Sequence, residues 1–122
     1  MKKRAVPLEI KDIASSNLDA LPSWRPDSRE QVFLGLDLEI GLRGERASNM
    51  FHVRVATPEA LRRHGGGFCM VKHRTLVISD FDWKQLTALL DDIVRDCARG
   101  SWEESCAVLQ RYFNWEYEDY SA

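Results

Sequence analysis

The sequence lacks the features that would place it in a membrane or a secretory pathway. No apolar run approaches the roughly 18 residues that a transmembrane helix needs. The basic start, Lys2 to Arg4, is not followed by the apolar segment of a signal peptide. A chain that begins here and stays in the cytosol is expected. Cysteine is scarce: Cys69, Cys97 and Cys106 are an odd number in a chain large enough to build a core, which argues against a disulfide framework and predicts reduced thiols. Internal repeats and low-complexity tracts are missing. So are catalytic signatures. No serine sits in a nucleophile elbow, and the run Gly65-Gly66-Gly67 lacks the Gly-Lys-Ser/Thr ending that lets a P-loop cradle phosphates. His64, Cys69 and His73 offer three ligands of the right type, but structural zinc takes four and no fourth can be named, so neither metal nor cofactor is expected. His52 is a potential general base, yet the sequence places no acid or oxyanion donor beside it, and the chain reads as a non-enzyme.

What is present is ordinary globular material. The 122 residues are 44% hydrophobic and 30% charged, enough for a single domain spanning 1–122 with a real core. The net charge of −2 hides an asymmetry. Residues 1–78 carry 13 Lys and Arg against 9 acids, whereas 79–122 carry 4 against 10, a balance of +4 against −6. An acidic C-terminal third suits a basic partner, with a merely solvated helix face as the alternative.

Leu8, Ile10 and Ile13 suggest a short first strand, followed by an irregular connection over 17–30 in which Trp24 plugs the core edge. Val32, Leu34, Leu36, Leu38 and Ile40 alternate with Phe33, Gly35, Asp37 and Glu39, the period-two signature of a half-buried strand. After a hairpin loop over 41–48, Phe51, Val53 and Val55 alternate with His52, Arg54 and Ala56 and should pair back on it. If the apolar sets share one face, Asp37, Glu39, His52 and Arg54 share the other, open to solvent or to a partner. Thr57 and Pro58 start a short helix as N-cap and first-turn proline, and 75–79 is a short β-branched strand. Asp82 with Gln85 and Ser101 with Glu104 have the form of capping boxes, opening helices over 83–99 and 102–113 that Gly100 and Asn114 are expected to close. The predicted class is α+β: a two-layer sandwich with a mainly antiparallel sheet of about four strands and two long C-terminal helices on one face. Leu34, Leu36, Leu38, Val53, Val55, Leu86, Leu90, Ile93, Leu109 and Phe113 should form its continuous core.

The last stretch, 100–120, reads GSWEESCAVLQRYFNWEYEDY. Trp102, Cys106, Leu109 and Phe113 fall on one helical face, and beyond Asn114 rings alternate with acids in a pattern that helix packing does not require. This stretch resembles the C-terminal signature of the immunity protein 8 family, and Ile40, Gly41, Gly44, Glu45, Phe51, Thr57 and Pro58 resemble that family's spacing upstream. The likeness covers about 33–120; it departs in a longer segment over 14–30, in the three-glycine insert and in the small Ala60. The resemblance implies an antitoxin of bacterial polymorphic toxin and contact-dependent growth inhibition systems, which binds and neutralises the toxin domain encoded beside it, with no membrane or direct nucleic-acid partner. A nuclease would fit the acidic end. The residues expected to bind it are Glu116, Tyr117, Glu118, Asp119 and Tyr120, with Asp91, Asp92 and Asp96 as a second set. Trp115 is expected to be structural, whereas Glu116, Glu118 and Asp119 have less reason to exist in the fold. The competing reading is a small nucleic-acid-binding module that uses Arg43, Arg46, Arg54, Arg62, Arg63, Lys72 and Arg74, against which stands a pI of about 5.9.

Overall fold

The computed structural model describes residues 4–15, 25–64 and 74–117. Trp24, Gly65 to Gly67, Cys69, Lys72, His73, Glu118, Asp119 and Tyr120 lie outside the described residues. The elements run β1 (Leu8–Ala14), β2 (Phe33–Leu42), β3 (Asn49–Ala56), α1 (Pro58–His64), β4 (Thr75–Val77), α2 (Trp83–Asp96), α3 (Trp102–Leu109) and β5 (Asn114–Trp115).

β2 and β3 form the hairpin that their alternation predicts, with Leu36 opposite Val53 and Leu38 opposite Phe51. β1 pairs antiparallel on the outer side of β2, and the odd spacing of its apolar residues has a structural cause. Ile10 faces Ile40 and Ile13 faces Leu38, so one extra residue is accommodated by a bulge between Ile10 and Asp12. Without it Ile13 would point away from the core. The order is β1-β2-β3-β4, with β4 parallel to β3 and β5 antiparallel to it, so the sheet is mixed. The parallel pairing follows from the crossover that carries α1, because parallel strands cannot be joined by a tight turn.

Thr57 makes the transition from β3 to α1. Its carbonyl accepts from Leu61 N (2.9 Å) as the first turn of α1 forms, so it is no longer turned towards the sheet. The buried hydroxyl substitutes for it: Oγ1 accepts from Val32 N (3.1 Å) and Ala60 N (3.3 Å) and donates to the Glu30 carbonyl (2.6 Å).

One apolar cluster joins the sheet to the helices, and it includes Leu34, Leu36, Leu38, Val53, Val55, Leu86, Leu90, Leu109 and Phe113, with Ile93 packed against it. Asp82 Oδ1 caps α2 by accepting from Gln85 N (3.0 Å). At α3, Ser101 Oγ accepts from Glu104 N (3.1 Å), but the reciprocal arm differs from a full capping box, because the Glu104 carboxylate accepts from the Ser101 hydroxyl (3.1 Å) rather than from the Ser101 amide.

Three helix expectations are corrected. α2 stops at a Cys97 cap rather than at Gly100, where the Arg99 guanidinium donates to the Asp96 and Ala98 carbonyls and satisfies the helix end. α3 is short, eight residues, and ends at Leu109. Beyond it Arg111 and Tyr112 bond back three residues instead of four, which tightens the chain into a turn and sets Phe113 into the core. Asn114 is no C-cap, since it belongs to β5 and pairs with His52. Pairing with β3 overrides the helix pattern there.

Candidate functional site

Phe51 in β3 is the hub on which the C-terminal segment is built. Trp102 and Phe113 meet it edge-on, each with centroids 6.5 Å away, and Trp115 lies nearly parallel to it at 6.1 Å. The Trp115 indole N–H donates to Asn49 Oδ1 (3.2 Å), and Tyr117 meets the Trp115 ring edge-on at 5.5 Å. Trp115 is therefore structural, as expected. Aromatic contacts of this kind add about 0.5–1.5 kcal/mol each beyond burial.

Glu116 has a fold role that the sequence did not reveal. Its amide donates to the Met50 carbonyl (3.0 Å), and its carboxylate Oε1 accepts from the Met50 amide (2.8 Å). A side chain thus supplies the acceptor that backbone would supply if β5 continued. The expectation that Glu116 has little reason to exist in the fold is corrected. Glu116 and Tyr117 remain exposed, just beyond the strand that pairs with β3.

The second candidate set lies apart. Asp91, Asp92 and Asp96 are exposed on α2, opposite the buried stripe of Leu86, Leu90 and Val94. Asp92 is already paired with Arg95 (3.0 Å). No described hydrogen bond or ion pair joins these acids to the tail.

The sheet face opposite the core is the polar one, and its register is informative. Asp37 stands opposite His52, and the two meet at 2.9 Å through Nδ1 and Oδ1. Register alone could have placed this acid beside His52. The ring leans over Gly35, where an added Cβ would lie 2.7 Å from the imidazole, so the absence of a side chain there makes room for the pair. Among the described residues no hydroxyl or thiol is hydrogen-bonded to the ring. Nor do the described residues contain a group of three His, Cys, Asp or Glu that could hold a metal.

A cleft of about 400 Å³ at the start of α2 is lined by Arg25, Arg29, Phe81, Asp82, Trp83 and Lys84. Arg29 is already engaged by Asp80 (3.5 Å), Asp82 (3.7 Å) and the Phe81 carbonyl (2.9 Å). Among the described residues the basic side chains do not form one continuous stripe. Arg43 and Arg46 sit in the hairpin loop before β3 and Arg62 and Arg63 in the helix after it, separated by eight strand residues, about 26 Å. Arg54 covers the Phe33 ring at 4.7 Å. Cys97 and Cys106 are free and buried. Burial pushes the Cys106 thiol up to about 12, helped by Glu103, and raises that of Cys97 against the opposing pull of Arg99.

The family model for Immunity protein 8 matches residues 8–120, nearly the whole chain. The chain belongs to the Immunity protein 8 family. No curated protein and no solved structure matches it. Membership makes this an immunity protein whose partner is a cognate toxin. No described helix is long and apolar enough to cross a membrane.

Proposed function

We propose that this immunity protein acts in the cytoplasm by binding its toxin domain one-to-one, without catalysis, and that the toxin is a nuclease met by the acidic C-terminal surface. The observation that carries the reading is the family match over 8–120. Two features support the finer part. The C-terminal third bears ten acids against four bases, and an enzyme that handles nucleic acid presents a basic surface. Glu116 and Tyr117 project from a strand edge locked by Phe51, Trp115 and Met50, so little conformational freedom is lost on binding. Glu118, Asp119 and Tyr120 extend the same chain. Asp91, Asp92 and Asp96 form a separate surface that steers association.

The test is titration of the catalytically inactivated toxin domain encoded beside this gene at two salt concentrations. The variant replaces Glu116, Glu118 and Asp119 with Gln, Gln and Asn. Gln at 116 keeps an acceptor for Met50 N, so the variant should stay folded, bind more weakly and show a flatter salt dependence. Unchanged affinity at both salt concentrations would remove the tail from the interface.

A further inference from the structure

The sheet's second face carries a surface that the tail does not account for. Its residues stand in rows across the strands: Asp12, Glu39 and Met50 in one, Ala14, Asp37 and His52 in the next, then Gly35 and Arg54, then Phe33, Ala56 and Val77. α2 and α3 bury their stripes in the core on the other side. Phe33, Met50 and Val77 are 36%, 38% and 54% exposed, so apolar side chains stand in water on a face that antiparallel sheets usually keep polar.

Among the described residues most charged side chains on this face are engaged by a neighbour. Lys11 pairs with Glu9 (3.2 Å), His52 with Asp37 (2.9 Å), and Arg54 lies over Phe33. Asp12 and Glu39 stand directly opposite one another, and among the described residues no Lys or Arg pairs with either. Like charges in directly opposed positions destabilise a sheet, so the fold gains nothing from this pair. Glu39 is held in place by Ser48 Oγ (2.6 Å). The row then continues into the candidate surface, because Met50 is opposite Glu39 and exchanges two hydrogen bonds with Glu116.

We propose that the toxin domain docks on this sheet face, with an Arg or Lys side chain received between Asp12 and Glu39 and its apolar neighbours set against Met50. The inference rests on the immunity reading and extends its surface from the tail across the sheet. Directly opposed residues on adjacent strands have Cβ atoms about 4.5–5.5 Å apart, a spacing that one guanidinium can span, and a bound cation would offset the repulsion between the two like charges.

The experiment uses the full chain, the inactivated toxin domain encoded beside it, and the variants Asp12→Asn, Glu39→Gln and their double. Each single variant should weaken binding about tenfold, with the double little worse than either because both acids hold the same cation. In the free protein Asp12→Asn should raise the Tm by about 1–4 °C by relieving repulsion. That pairing of higher stability with lower affinity is not expected of a residue that serves only the fold. Binding by all variants within about twofold of wild type would overturn the inference and leave the immunity reading standing. A fall in Tm would assign the pair to the fold and overturn it equally. Failure of the wild-type chain to bind would sink both readings.

Discussion

Replacing Thr57 with Val removes one oxygen and leaves three backbone groups without their partner. The Val32 amide, the Ala60 amide and the Glu30 carbonyl all meet Oγ1 within 3.3 Å, at a side chain with no solvent exposure. Losing a helix N-cap costs about 1 kcal/mol, and stranding a buried amide about 1–3 kcal/mol more, so Thr57→Val should destabilise by about 2–4 kcal/mol. Volume is nearly conserved, which keeps cavity effects small. In a domain of this size that loss lowers the Tm by roughly 10 °C. The assay is urea unfolding followed by far-ultraviolet circular dichroism, with the midpoint expected to fall and the slope to stay fixed. Thr57→Ser keeps the hydroxyl and should recover most of the loss. A Val variant within about 0.5 kcal/mol of wild type, or a Ser variant as damaged as Val, would refute the assignment of Thr57 as a ladder acceptor.

Other substitutions probe different links. Leu36→Ala, at a fully buried position, should cost about 2–5 kcal/mol in the same assay through lost burial and a cavity. Glu116→Ala should cost about 1 kcal/mol by removing the acceptor for Met50 N, while Glu116→Gln should cost less, as read by thermal melts. Cys97 and Cys106 should resist iodoacetamide in the native protein at pH 8, checked by peptide mass spectrometry, because burial keeps both thiols protonated. The Cys106 shift also sets a sign. Its folded value of about 12 stands above the ordinary 9.0, so its contribution is full below pH 9 and is lost as pH rises towards 12. Cys106→Ala should flatten that alkaline decline.

The parts of the fold that depend on local chemistry were legible. The alternation from Val32 to Ile40, the caps at Asp82 and Ser101 and the Thr57-Pro58 start each reflect a few neighbouring residues. What long-range pairing decides was not. A helix continued through Phe113 satisfies the apolar spacing, and only the demand of β3 for a partner at Phe51 and His52 converts Asn114 and Trp115 to strand. The spacing of Leu8, Ile10 and Ile13 already contained the bulge, but its meaning depends on which residues of β2 stand opposite. The candidate site divides in the same way. The rings and acids of the tail were visible as a pattern, and Trp115 was correctly assigned to structure. The use of the Glu116 carboxylate as a ladder acceptor, the Asp37–His52 pair and the opposed Asp12 and Glu39 are products of register, which one strand alone does not specify.

The central claim is that this chain works by binding the toxin domain encoded beside it. Calorimetric titration of the full chain into that domain, inactivated at its catalytic residue, tests it directly. The account predicts saturable one-to-one binding that weakens as salt rises. Heats no different from buffer at both low and high salt, with both proteins folded, would contradict it.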